Sequence, residues 1–143
     1  MATMIDDPSG TGTAAAAENA RLLAQGYHAF ATGDMATLNQ TFSPDIVWHV
    51  QRLGILSGDH RGWDAVLAFF GRSMALTNGT FRVTPLEVLA NGEGAAAVVR
   101  SQGERNGRAL DDRQIHHFHI RDGRVVEVWQ FIGDAEATHD FWS

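Results

Sequence analysis

The chain contains neither cysteine nor lysine. Without cysteine there is no thiol nucleophile, no disulfide and no thiolate metal site. Without lysine, all 11 basic residues being arginine, no Schiff base can form with a carbonyl substrate or with pyridoxal phosphate. Positive charge is also outweighed: 17 acidic residues give a formal net charge of −6. That argues against nucleic acid or an anionic membrane as a partner, since both need clustered positive charge. No apolar run approaches the ~20 residues of a membrane span. The opening Met-Ala-Thr-Met-Ile-Asp-Asp-Pro lacks the basic region and apolar core of a secretory leader, so the cytoplasm is the expected compartment. No glycine-rich phosphate loop is visible either, because Gly10 and Gly12 lie in the polar N-terminal stretch rather than between a strand and a helix. What remains is His, Asp, Glu and Tyr chemistry without a cofactor, or plain binding.

What is present describes one domain. At 143 residues and 44% hydrophobic content the chain can build a single core. Residues 1–13 read as a disordered tail and 14–143 as one α+β domain. Leu23, Tyr27 and Phe30 stand at i, i+4 and i+7 of a helix over 14–32. Gly33 suits its C-terminal stop, and Asp34 suits the cap of a second helix over 35–42. Ile46, Trp48 and Val50 alternate along a strand, which places His49 on its other side. A loop over 51–62, holding His60 as a possible lid residue, precedes a third helix over 64–77. From Phe81 onward the pattern is strand and turn: 81–90, then 94–105, then a hairpin, then a short helix or arm over 134–142. Helices followed by an antiparallel meander predict helices gathered on one face of a curved sheet.

The hairpin, residues 112–131, carries the chemistry. Asp122-Gly123 is a two-residue turn signal of the kind that needs φ > 0 at both positions. Regular pairing from it sets Ile120 opposite Val125, Phe118 opposite Glu127, His116 opposite Trp129 and Gln114 opposite Phe131. Period-two alternation then puts Asp112, Gln114, His116, Phe118, Ile120, Val125, Glu127, Trp129 and Phe131 on one face. Pairing back from Asn106-Gly107 sets Ser101, Val99 and Ala97 opposite Asp112, Gln114 and His116. An apolar face that also holds two carboxylates and an imidazole suits a pocket floor better than a plain core.

Tyr27-x-x-Phe30-x-x-Gly33-Asp34, Pro44-Asp45-x-x-Trp48, Gly62-x-x-Ala65-Val66-x-x-Phe69-Phe70 and Phe118-x-x-x-Asp122-Gly123-Arg124-Val125-x-Glu127-x-Trp129 together resemble the SnoaL-like branch of the nuclear-transport-factor-2-like superfamily. The resemblance implies a cone-shaped α+β barrel: a strongly curved antiparallel sheet wrapped around N-terminal helices, with an apolar pocket inside. Members include ketosteroid isomerase, limonene-epoxide hydrolase, polyketide cyclases and proteins that only bind. The ketosteroid isomerase base falls at Val50 and its oxyanion tyrosine at Gly26, so that activity is not expected. The epoxide hydrolase carboxylates are missing too, since the middle strand reads Val99-Arg100-Ser101-Gln102 and Phe131 lies two residues past Trp129.

These readings combine into a set of candidates. His116 is the first choice for a working acid or base, because an imidazole titrates near neutrality. Glu127, diagonal to it across the hairpin, is expected to orient it or act as a base, and Asp112 is a further catalytic candidate at the pocket mouth. Trp48, Gln114, Phe118, Trp129, Phe131 and Tyr27 are candidate substrate contacts. His117 and His119 share the outer face, but no third ligand has clear spacing, so no metal is expected. Val98, Ile115, Val126 and Val128 are read as facing outward among Arg100, Gln102 and Arg113, which suggests a homodimer interface. The expected function is cofactor-independent proton transfer on a small, mostly apolar molecule; the alternative is a dimeric ligand-binding module without catalysis.

Overall fold

A computed structural model describes residues 11–143. Helix α1 (Thr11–Thr32) starts within the expected tail, so residues 11–13 are helical and 1–10 lie outside the described residues. Gly33, at φ 71°, takes the left-handed conformation that ends α1. Asp34 caps α2 (Met35–Thr41), its carboxylate accepting from the Thr37 backbone N–H at 3.1 Å and the Thr37 hydroxyl at 2.7 Å. Strand β1 (Phe42–Val50) follows, then a 3-10 turn at Gly54–Leu56 and strand β2 (Gly58–Arg61). Helix α3 (Trp63–Leu76) leads to β3 (Arg82–Ala90), β4 (Gly94–Arg105), β5 (Arg108–Arg121), β6 (Arg124–Phe131) and α4 (Ala135–Phe141).

The segment 51–62, expected to be loop, thus contains an edge strand. Gly-Asp-His-Arg has no apolar alternation to announce it, because β2 is largely exposed and takes its strand form from pairing with β1. The sheet order is β2-β1-β6-β5-β4-β3, open at both edges, with β1 parallel to β6 and every other pair antiparallel. The inner sheet face packs against the helices. Leu23, Val66, Val99, Phe118, Val128 and Trp142 are among the buried side chains between them.

Both tight turns form as expected, with Asn106 and Gly107 at φ 54° and 77°, and Asp122 and Gly123 at φ 55° and 75°. The β4–β5 register also holds: Ser101, Val99 and Ala97 pair with Asp112, Gln114 and His116. On β6 the expected register breaks. Ile120 still pairs with Val125, but His119 pairs with Glu127, leaving Val126 as an extra residue in a β-bulge. One inserted residue turns every later side chain to the opposite face. Beyond the bulge His116 lies opposite Gln130 and Phe118 opposite Val128, so Val128 and Gln130 join the inner face while Glu127, Trp129 and Phe131 turn outward. Nothing in Arg124-Val-Val-Glu-Val-Trp marks the bulge, since no glycine accompanies it.

Candidate active site

A cavity of about 80 Å³ lies between the inner sheet face and α1–α3. That exceeds several-fold the ~10–15 Å³ that admits one water. Its wall is almost wholly apolar and strongly aromatic. Phe30, Phe42, Trp48, Phe69 and Phe70 meet largely edge-on or tilted, with Trp48–Phe70 at 5.3 Å and 89° and Phe30–Phe70 at 5.3 Å and 78°. Rings in such contacts are rigid and mutually stabilising, by ~0.5–1.5 kcal/mol per pair beyond area burial.

His116 lines this cavity and is 4% exposed. Its Nδ1 lies 2.8 Å from the Tyr27 hydroxyl, on the helix face set by the Leu23–Tyr27–Phe30 spacing. Tyr27 has no other hydrogen-bond partner among the described residues. With the Tyr27 hydroxyl assigned as the donor to Nδ1, the arrangement that pairs its hydrogen within the protein, the hydrogen of the neutral imidazole lies on Nε2. No described residue accepts from Nε2, so this N–H is available to whatever fills the cavity. Burial pushes the His116 pKa down to about 4 and the Tyr27 pKa well above the ordinary phenol range. The site thus presents a neutral imidazole as a fixed donor, a weak base at neutral pH.

A second polar group runs across the floor. Trp48 Nε1 donates to Gln130 Oε1 at 2.9 Å, and Gln130 Nε2 donates to Gln114 Oε1 at 2.8 Å. Ser101 Oγ also donates to Gln114 Oε1, at 3.2 Å, while Gln114 Nε2 donates to Asp112 Oδ2 at 3.1 Å. Asp112, 6% exposed, further accepts from the backbone N–H groups of Gly133 at 3.2 Å and Asp134 at 2.8 Å. Its carboxylate is spent on clasping the β6–α4 connection and anchoring this chain, and it does not line the cavity.

Of the expected site residues, the fold brings His116, Tyr27, Trp48, Gln114 and Phe118 to one cavity. Glu127, Trp129 and Phe131 are not there, and the β6 bulge is the reason. Glu127 instead accepts from His49 Nε2 at 2.6 Å on the outer face, while Asp59 meets His49 Nδ1 at 2.7 Å. Trp129 stacks on His49 and His117 at 5.5 and 5.3 Å, with His119 edge-on at 4.7 Å. Among the described residues no set of three His, Asp or Glu side chains is arranged to hold a metal ion. His60 is held against Leu56 O at 2.8 Å and stacked on Phe69 at 4.3 Å. Gln130, which sequence reading missed, lines the cavity only because of the bulge, and Tyr27 serves as the partner of His116 rather than as a mere wall.

Residues 23–128 match the SnoaL-like domain. The chain belongs to the SnoaL-like family. Rv0034, an uncharacterised protein of Mycobacterium tuberculosis, is 37% identical over 123 residues, covering 85% of this chain and 94% of that one. The structure of Bal32a, from a soil-derived mobile gene cassette, is 35% identical with a TM-score of 0.87, covering 90% of this chain and 99% of Bal32a. At 22% identity and a TM-score of 0.67, IdmH of Streptomyces antibioticus, described as a candidate polyketide cyclase, shares the fold, over 80% of this chain and 91% of its own. The SnoaL-like chain thus has the cone fold of the nuclear-transport-factor-2-like superfamily. Among its described residues no helix is long and apolar enough to cross a membrane.

Two histidines set its acid response with opposite signs. His116 has a folded pKa of about 4, below the unfolded value of 6.5. The unfolded chain therefore binds the extra proton between those values, and stability falls as pH drops from about 6.5 toward 4. At 1.36 kcal/mol per pKa unit the loss is about 3 kcal/mol. For His49, burial is the largest single influence and lowers its pKa, but Asp59 and Glu127 together outweigh it and raise the net value. Its contribution is present below about 6.5 and is lost as pH rises through the raised value. Both carboxylates are well exposed, so screening keeps this second effect small. Urea unfolding across pH 4–7 is expected to show the acid loss in the natural protein and a nearly flat response in His116→Phe. An equal loss in both would remove His116 as the cause.

Proposed function

We propose that this SnoaL-like protein holds a small, mostly apolar carbonyl compound in its cone and promotes cofactor-independent proton-transfer chemistry on it, such as isomerisation or ring closure. The observation that carries this reading is the unpartnered Nε2–H of His116 in an aromatic, apolar-walled cavity. A donor fixed there by Tyr27 stabilises the oxygen of a developing enolate more than it stabilises the ketone, while the α-proton passes to a water admitted to the cavity and returns from it, and low local dielectric strengthens the effect. Tyr27, rather than Glu127, is the orienting partner. The cyclase description of IdmH is consistent with such chemistry. The second reading, a binding module without catalysis, is favoured by one observation: no carboxylate lines the cavity to serve as a strong base.

The two readings separate in one experiment. Cyclohex-2-enone is expected to raise the unfolding temperature more than cyclohexene does, because only the ketone accepts from His116. A catalyst is also expected to speed exchange of the ketone's α-hydrogens in D2O, read by NMR, whereas a binder shifts the melting temperature without exchange. Equal stabilisation by ketone and hydrocarbon would sink the carbonyl reading.

We also propose a homodimer through the outer sheet face. Phe131 pairs with Ile115 and Ile115 with Val98, forming an apolar ladder whose first two members are 56% and 43% exposed. Exposed apolar side chains in such a row favour self-association. Sedimentation is expected to show a dimer that Phe131→Glu converts to monomer; a natural protein that is monomeric throughout would exclude it.

A further inference from the structure

The floor of the cavity has a direction that can be read from its ends. An indole N–H only donates, so the Gln130 atom facing Trp48 is the oxygen. A carboxylate that already holds the Gly133 and Asp134 N–H groups accepts again, so the Gln114 atom facing Asp112 is the nitrogen. Both amide orientations are forced from opposite ends, and the middle contact, Gln130 Nε2 to Gln114 Oε1, is then a donor meeting an acceptor as it must be. Gln114 Oε1 has both lone pairs engaged, by Gln130 and Ser101. Gln130 is different. It lines the cavity, is only partly buried, and keeps one N–H and one lone pair beyond its two bonds.

Gln130 is the cross-strand partner of His116. Such partners project from Cβ atoms about 4.5–5.5 Å apart on one sheet face. Two hydrogen-bonding points thus stand side by side on an otherwise apolar wall. No arginine lines the cavity and His116 stays neutral there, so nothing offsets the desolvation of an anionic ligand.

We infer that Gln130 is a second ligand contact, and that the site takes a neutral compound with two nearby oxygens: a carbonyl oxygen on His116 and a 1,3-related carbonyl or hydroxyl oxygen on Gln130. Trp48, Gln114 and Asp112 are positioning residues that hold Gln130 in the orientation the ligand meets. This inference rests on the carbonyl-binding reading above and narrows it to a class of ligand.

The test compares 2,2-dimethylcyclohexane-1,3-dione with 2,2-dimethylcyclohexanone by calorimetric titration. The dione carries the second oxygen at little change in size. Against the natural protein the dione is expected to bind about 5-fold more tightly, the scale of one net hydrogen bond. Gln130→Met is expected to remove that advantage, read as the ratio of dione to monoketone affinity within the same variant, so that any general change in the wall cancels. Gln114→Met, which keeps Gln130 but removes the acceptor that orients it, shrinks the advantage and carries the test if Gln130→Met does not fold. Equal affinities in the natural protein, or an undiminished dione preference in both variants, would overturn the inference. Failure of the parent reading looks different: neither ketone binds, or His116→Phe leaves monoketone affinity untouched.

Discussion

Replacing His116 with Phe is expected to lower turnover of a bound ketone by about 10²–10³-fold, the usual cost of removing one fixed donor from a developing oxyanion. Phe keeps the ring that touches Trp48 at 5.5 Å and Phe118 at 6.0 Å, so the wall persists while the donor disappears. The same change strands the Tyr27 hydroxyl in an apolar site, where an unsatisfied group costs about 1–3 kcal/mol. Adding Tyr27→Phe removes the stranded group as well. The double variant is therefore expected to recover stability without recovering turnover. This pattern separates function from folding, because a purely structural His116–Tyr27 pair would recover both or neither. In a binding module the only functional loss is about 5–10-fold in affinity, the worth of one hydrogen bond. Steady-state kinetics, titration and urea unfolding of the three variants decide among these outcomes.

Asp112→Ala is expected to be the most damaging single substitution for stability. It leaves the buried Gln114 amide and the part-buried N–H groups of Gly133 and Asp134 without their acceptor. Each loss is worth about 1–3 kcal/mol in isolation, and because the three share one carboxylate they do not simply add. A total of about 3–5 kcal/mol is expected, enough to lower the melting temperature by roughly 10 °C or more. Asp112→Asn, which retains one acceptor oxygen, should fall between. The measurement is thermal and urea unfolding alongside monoketone affinity. A variant that stays within 1 kcal/mol of the natural protein but loses activity would return Asp112 to the catalytic role that its residue type suggested.

The contrast between Asp112 and Glu127 shows how sequence spacing succeeds and fails. Alternation puts Asp112 on the inner face, where it lies, because Asn106-Gly107 and an unbroken β4–β5 ladder carry that alternation without error from the turn to residue 112 and beyond. Its use as a clasp was illegible, because its acceptor bonds go to backbone groups 21 and 22 residues away. For Glu127 the same alternation rule gives the wrong face. Beyond the Asp122-Gly123 turn the rule holds for Ile120 and Val125 and then fails at the bulge, which exchanges Glu127, Trp129 and Phe131 for Val128 and Gln130. Gln130 could not be singled out from its neighbours, since its importance comes from facing His116 across that irregularity.

Composition and pattern determined what is local: the chemistry that cysteine and lysine would have brought is absent, the helices end at Gly33 and start at Asp34, and both hairpins turn where Asn-Gly and Asp-Gly allow φ > 0. The α+β class and the inward direction of His116 and Trp48 follow from periodicity alone. Only the tertiary structure decided the parallel pairing of β1 with β6, the edge strand β2, the union of Tyr27 with His116 across 89 residues, and the face on which Glu127 lies. The physical reason is that alternation and turn chemistry act over a few residues. A bulge, a parallel pairing or a shared proton is settled by the free energy of packing distant segments together, and no short stretch of this chain records that.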